Sequence, residues 1–427
     1  MELKIETLGP CKRKLRIEVP AGRVDEELER AYTEAGRGAV VPGFRPGKAP
    51  RKVIELHYGA KVRVDIKERL IEESVESALR EQRLSPAVPP RLDIDSFPLS
   101  PGQPFRFEVE VEVWPEVAAS GYTGIKVAKK KIEAKEEDVE GYIRMLLDRH
   151  AEIVPVEGRG LRDGDLALLD ISGETGGTVF DEKRAAWIEA GPKAYCDGFC
   201  EKLAAASPGE VREFTLKLPA EGLREGLAGK EARFVVTIRE LKEKRLPELN
   251  DDFCKRLGNC ANLEELRASV RKDLRAYAEA EARDDLIRQI NDYLLERHAV
   301  PLPETRAALD GVSLAQKAAG NLLARGLKKE DILDRKEELL AVSRKDAEKR
   351  LALSLVYGSI ARREKIAVTP AEVEARVAQI AASAKREPAE VRAALEKDDR
   401  LDEIENDIVR EKIETFLLEK AKVREAR

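Results

Sequence analysis

The sequence predicts a multidomain α+β protein: an N-terminal α+β domain with a helical hairpin, a small β-rich domain in the middle, and an all-α C-terminal domain. Three observations predict it. Apolar residues alternate with charged ones at both ends of the first 114 residues, as in strands with one buried face. Residues 151–243 are dense in glycine, with short apolar runs cut by turn signals such as Asp163-Gly164-Asp165 and Ser207-Pro208-Gly209. From Leu246 onward Ala, Leu, Glu, Lys and Arg dominate, with five aromatics (Phe253, Tyr277, Tyr293, Tyr357, Phe416) and no Trp. A chain of 427 residues has room for about three domains.

In the first part, Leu15, Ile17 and Val19 alternate with Arg16 and Glu18, and Phe105, Phe107, Val109, Val111 and Val113 alternate with mostly charged neighbours. Each series predicts a half-buried strand. Between them, Val24, Leu28 and Tyr32 recur every four residues and predict a helix over 24–36. Val64, Ile71, Val75 and Ala78 mark a second helix from Pro50 to about Leu84, with a break expected at Gly59. The intervening GRGAVVPGFRPGKAP holds too many Gly and Pro residues for a helix to cross. The result is a hairpin with a long tip. Residues 1–114 form this domain, and 115–149 read as a connector with a short strand at Ile125–Val127 and a charged helix from Lys135.

The β-rich domain spans 150–243, with strands expected over Leu166–Ile171, Val211–Leu218 and Ala232–Leu241. The helical domain spans 244–427. Asn262 with Glu265 predicts a helix start, Pro301 and Pro303 a stop, and Thr369-Pro370-Ala371-Glu372 a cap followed by a first-turn Pro and a returning carboxylate.

Composition narrows the function classes. No run of about 18 apolar residues is present, so a membrane span is not expected. The start MELKIETLGP lacks a secretory h-region, and five scattered cysteines make no disulfide framework. The expectation is a soluble, reduced, cytoplasmic protein. The spacings of Cys196 with Cys200 and Cys254 with Cys260 are too loose for a zinc ribbon, so no metal is expected. Gly43 to Gly47 is followed by Lys48-Ala49-Pro50, not the Lys-Ser/Thr of a nucleotide loop, so no cofactor is expected. The net charge is −5, yet residues 1–63 carry 14 basic against 9 acidic side chains. From Ala35 to Arg63 the ratio is seven to one. A basic patch on an otherwise acidic chain predicts docking to an anionic partner.

The tip reads Gly43-Phe44-Arg45-Pro46-Gly47-Lys48-Ala49-Pro50. Glycines permit a sharp turn, prolines stiffen it, Phe44 offers an apolar anchor, and Arg45 and Lys48 offer cations. This stretch resembles the ribosome-docking signature of the bacterial trigger factor family, Gly-Phe-Arg-x-Gly-Lys-x-Pro, at all six fixed positions. The domain order is similar along essentially the whole chain, and so is the passage from Gly229-Lys230 through Phe234 to Leu246-Pro247-Glu248-Leu249-Asn250-Asp251-Asp252-Phe253. The resemblance implies ribosome binding through Gly43, Phe44, Arg45, Gly47 and Lys48, on the large subunit near the exit tunnel. Nascent and unfolded polypeptides are the implied clients, held without ATP and assisted in folding and export. A weak homodimer off the ribosome is also implied. Pro46, where the family often has Lys, removes a cation and stiffens the tip.

The middle domain resembles an FKBP-type peptidyl-prolyl isomerase. That reaction needs no nucleophile: a barrier of about 18–20 kcal/mol arises from amide resonance, and an apolar pocket lowers it by preferring the twisted amide. The resemblance assigns the pocket to Phe180, Asp181, Trp187, Cys196, Phe199 and Phe234. Two positions depart from the family. Ile171 replaces an aromatic, and Cys196 replaces a branched aliphatic whose backbone N–H holds the substrate. Weakened isomerase activity is therefore expected. The alternative is a free cytoplasmic prolyl isomerase whose helical domain recruits substrates; a third reading is a helical adaptor with a degenerate β-rich module.

Overall fold

The computed structural model describes residues 1–425 apart from 39–41, 43, 45–48, 91–95, 132–134, 193, 219–228, 259 and 399. The N-terminal part opens with strands β1 (Glu2–Thr7) and β2 (Lys12–Val19), then helices α1 (Ala21–Gly38) and α2 (Arg51–Glu81), and closes with β3 (Phe105–Glu112). The sheet order is β1-β2-β3, antiparallel throughout, with Leu15 opposite Val109 and Ile17 opposite Phe107. Inward residues of β2 and β3 share a core with Ile66, Leu70 and Ile71 of α2. Strand β1 was not expected. Its alternation is weak because Ile5 is exposed and only Leu3 turns partly inward.

The break expected at Gly59 is absent, since α2 runs unbroken for 31 residues. A lone glycine inside a helix costs about 1 kcal/mol, which tertiary packing readily offsets. Gly59 is buried, and a side chain there would reach within 3.4 Å of the Tyr32 hydroxyl, so its bare α-carbon lets α1 lie close.

The chain divides into two compact units, residues 130–283 on the one hand and residues 1–129 with 284–427 on the other. Strand β4 (Lys126–Lys129) closes the first segment of the discontinuous unit. The continuous unit begins with α3 (Glu136–Arg149) and β5 (Glu152–Pro155). It goes on with β6 (Leu166–Thr175), β7 (Thr178–Glu189), α4 (Phe199–Leu203), β8 (Val211–Lys217) and β9 (Glu231–Arg245). These five strands form one curled sheet in the order β5-β9-β6-β7, with β8 also paired to β9 and every pairing antiparallel. The long β9 is the common partner of β5, β6 and β8, and its Ala232, Phe234, Val236 and Ile238 face the core. At the mouth of the sheet, buried Asp165 receives Arg159 through two bonds, one of 2.9 Å, and the Arg162 N–H at 2.8 Å. Burial alone would raise the Asp165 pKa; the Arg159 guanidinium and the Arg162 N–H outweigh it and hold the carboxyl below its usual value.

Helix α5 (Asp251–Leu257) starts where Asn250 Oδ1 accepts the Phe253 N–H at 3.0 Å and stops at Gly258, whose φ of 81° is the left-handed conformation that ends helices. Helix α6 (Leu263–Arg297) starts at the expected Asn262, which accepts the Glu265 N–H at 2.9 Å. Val139 and Ile143 of α3 pack with Cys254 of α5 and with Leu266 and Val270 of α6.

The remaining helices are α7 (Glu304–Ala324), α8 (Lys329–Asp334), α9 (Lys336–Glu364), α10 (Pro370–Ala384), α11 (Pro388–Lys397) and α12 (Leu401–Lys420). At the start of α10, Glu372 accepts both the N–H and the hydroxyl of Thr369, at 2.8 and 2.9 Å, and pairs with Lys412. The C-terminal part is not helical to its end. Strand β10 (Lys422–Glu425) pairs in parallel with β4, a match that four residues with one apolar member could not announce. The connector expected over 115–149 also has a packed role. Its Ala119, Tyr122, Ile125 and Val127 are buried in one core with Leu286, Ile290, Val356, Ile360, Ile413 and Leu417. Within the same unit, Glu112 at the end of β3 accepts the N–H of Thr305 at 3.0 and 3.1 Å and its hydroxyl at 2.7 Å. A buried carboxylate thereby caps the N-terminus of α7, where the helix dipole favours it.

Candidate functional site

The curled sheet gathers an aromatic cluster on its concave face. Phe234 of β9 lies at its centre, edge-on to Phe180 of β7 (6.0 Å between ring centroids), Tyr195 (5.8 Å) and Phe199 of α4 (5.6 Å), and tilted against Phe214 of β8 (5.9 Å). Phe199 and Phe234 are fully buried and form the floor; Phe180, Asp181 and Tyr195 are half-buried and form the rim. Gly173 of β6 makes room for them. A side chain there would fall 2.8 Å from Phe180 and 3.1 Å from Phe234, so no other residue fits without displacing a ring.

Of the six expected pocket residues, five are brought together and one is not. Phe180, Asp181, Cys196, Phe199 and Phe234 share this region. Trp187 is turned away. It is 45% exposed and packs under the Lys242 ammonium at 4.5 Å. The cause is a bulge. Between Leu169 and Ile171 the β6–β7 register shifts, Ala185 adopts φ 51°, and its N–H is held by Asp170 Oδ1 at 2.8 Å. An extra residue in one strand reverses its alternation beyond that point, so Trp187 pairs with outward-facing Leu168 while Ile188 faces the core.

Two members of the cluster were not anticipated. Phe214 could have been found, since the inward positions of β8 alternate through Arg212, Phe214 and Leu216. Tyr195 had no such signal. Its ring lies 4.5 Å from Phe199, its hydroxyl donates to Asp181, and the Lys183 ammonium sits 4.8 Å above it. Burial and the neighbouring Asp181 carboxylate push the Tyr195 phenol well above its usual pKa, so it stays a neutral donor. Its φ of 65° is the centre of a three-residue turn in which the Cys196 N–H donates to the Ala194 carbonyl at 2.8 Å. The backbone donor expected to hold substrate is therefore already engaged. Cys196 itself is buried, which raises its thiol pKa. Ile171 fills the interior below the rim. The cluster brings together apolar rings, one carboxylate and one phenol.

Of the expected docking residues, Gly43, Arg45, Gly47 and Lys48 lie outside the described residues. Phe44 is described and is 42% exposed. Along α2, Lys52, Lys61 and Arg63 are exposed, and Arg51 lies over the Tyr32 ring at 5.0 Å.

A third surface lies on the helices. Helices α7 and α9 pack through small residues: Ala307, Gly311 and Ala315 on one side, Ser343 and Ala347 on the other. A side chain at Gly311 would meet the Arg344 backbone at 3.1 Å, so glycine sets this close approach. Three larger apolar residues of α7 point elsewhere. Leu309, Val312 and Leu323 fall on one helical face and remain exposed, as do Leu327, Leu333 and Val342 nearby in the chain. Among the described residues, no group of three or more His, Cys, Asp or Glu side chains could hold a metal ion, and no helix is long and apolar enough to cross a membrane.

Comparison with known proteins gives the same family at every level. Residues 1–146 match the family model described as bacterial trigger factor protein, and 262–419 match the model of its C-terminus. A trigger factor of Halothermothrix orenii is 32% identical over 426 residues, covering 98% of this chain and 99% of that protein. One from Desulforamulus reducens is 33% identical over 416 residues, covering 96% and 95%. A solved structure of the trigger factor chaperone superposes with a TM-score of 0.53 at 20% identity, over 98% of this chain and 100% of the other, and supports the fold.

Proposed function

Because the chain belongs to the bacterial trigger factor family, whose members are ribosome-associated chaperones with a prolyl isomerase domain, we propose that it holds nascent and unfolded polypeptides on its helical domain without ATP, while docked near the exit tunnel of the large ribosomal subunit. The observation that carries this reading is the stripe of Leu309, Val312 and Leu323 on α7. These side chains stay about half exposed, on the face of α7 opposite the small residues that pack against α9. Such a surface binds unfolded chain through non-directional apolar burial, at about 25 cal/mol per Å² of surface removed from water.

The test is suppression of aggregation of a chemically unfolded client by the full chain in the absence of nucleotide. Leu309→Ser with Val312→Ser and Leu323→Ser should lower the suppression severalfold. Suppression equal to wild type in a folded triple variant would refute the assignment. Docking is read separately, by sedimentation with ribosomes. Phe44→Ala with Arg45→Ala should abolish co-sedimentation, and added salt should weaken the wild type, since charge pairs dominate such contacts.

Isomerase activity is the second reading, supported by the floor of Phe199 and Phe234 and the rim of Phe180, Asp181 and Tyr195. We propose that it is weak. The Cys196 N–H is committed to Ala194, and a substrate carbonyl must compete for it. The cis-to-trans rate of an apolar-Pro peptide checks this: a rate at the level of an unmodified FKBP pocket would show that the turn does not limit the site.

A further inference from the structure

Cys254 and Cys260 are six residues apart and belong to no site described above. Helix α5 carries Cys254 at its centre and ends at Gly258 in the left-handed conformation. Cys260 lies back against this helix, its Sγ 3.4 Å from the Cys254 carbonyl oxygen. Cys254 is fully buried with Val139, Ile143, Leu266 and Val270, whereas Cys260 is only half-buried at the edge of that cluster. One thiol is thus reachable from solvent and the other waits behind it.

We propose that Cys254 and Cys260 are a redox-active dithiol that closes to an intramolecular disulfide by exchange with low-molecular-weight disulfides. The Cys260 thiolate attacks one sulfur of the reagent RSSR, forming a Cys260–S–SR bond and releasing RS⁻, which takes up the proton that Cys260 gave up. Cys254 then loses its proton and attacks the Cys260 sulfur; the S–SR bond breaks and a second RSH leaves. Two protein thiols and one RSSR become one protein disulfide and two RSH. The order follows from burial, which raises the Cys254 thiol and disfavours it as first nucleophile. The disulfide ties the middle of α5 to the residues just before Asn262, the cap of α6, and so restrains the junction between the two helices.

Cys196 and Cys200 form the internal control. They are four residues apart, burial raises both thiols, and Cys200 lines a separate cavity of about 280 Å³ beside α4.

The experiment treats the full-length native chain with oxidised glutathione, then maps peptides without reduction. The expected product has lost the mass of two hydrogens, carries a Cys254–Cys260 link, and reverts with dithiothreitol. Amide exchange across 254–266 should slow on oxidation. Cys254→Ser should instead accumulate one glutathionyl group on Cys260, and Cys260→Ser should leave Cys254 unmodified in the folded protein. A stable glutathionyl adduct on wild-type Cys260, a first link between Cys196 and Cys200, or a 254–260 link formed only in denaturant would each overturn the proposal.

Discussion

In the curled sheet, Phe199 and Phe234 are sealed from solvent, and the rings of Phe180, Tyr195 and Phe214 close over them. On α7 the arrangement is reversed: Ala307, Gly311 and Ala315 make the contact with α9, and Leu309, Val312 and Leu323 are left outside. A sheet that buries rings gains shape and selectivity, since aromatic pairs favour particular geometries. A helix pair joined by small residues leaves large apolar side chains outside the contact. The two regions dispose apolar surface differently, one burying its rings and the other leaving Leu309, Val312 and Leu323 exposed.

The strongest way to break this contrast is Phe234→Ala. Removing a fully buried ring from the centre of five should destabilise the sheet unit by about 3–5 kcal/mol, read from denaturant melts. Aggregation suppression under native conditions should persist, because the client surface proposed above is on α7. Gly311→Val comes next. The added branch meets the Arg344 backbone at 3.1 Å and must push α9 away, at about 1–3 kcal/mol, lowering the first thermal transition of the helices.

Acid should act more locally. The Lys412 ammonium, followed by the Thr369 N–H and hydroxyl, pulls the Glu372 carboxyl down to about 2 from an ordinary 4.5. A carboxyl depressed by folding contributes stability that is whole above its unfolded value and is lost as pH falls toward the folded one. Exchange protection of the first turn of α10 should therefore decline between pH 4.5 and 2, and Glu372→Gln should flatten that decline. The smallest effect on folding belongs to the exposed stripe. Leu309→Ser with Val312→Ser should change stability by no more than about 0.5 kcal/mol while lowering client holding, a separation that calorimetry and light scattering can measure together.

Much of the fold was legible because local signals agreed with tertiary need. The alternation of β2 and β3, the Asn262 and Thr369 helix starts, and the proline stop after α6 each rest on chemistry within a few residues. What escaped depends on partners far away or on backbone shape without a residue signature. Ala185 gives no hint of a positive φ, yet its bulge decides that Trp187 leaves the cluster and Ile188 enters it. Tyr195 joins the rim through a turn that no glycine marks. The hairpin tip was legible in its residue types alone, with Phe44 as its described member.

The pairing of β10 with β4 has a consequence for synthesis. Lys422 lies beside Lys126, and Val423 beside Val127, so the partner of β4 leaves the ribosome almost 300 residues after it. Ile125 and Val127 likewise wait for Ile413 and Leu417 to cover them. Residues 130–283 need no such delay, because every strand of their sheet lies within them. During translation the middle of the chain can finish folding first, whereas the core that joins 119–127 to the last helix is completed only as the final tenth of the chain emerges. Contacts between residues so far apart in the chain form slowly, because the intervening loop must close before they add stability. A chain that resembles a chaperone active in folding and assembly is, in its own making, one whose early segments must stay unsatisfied for most of their synthesis.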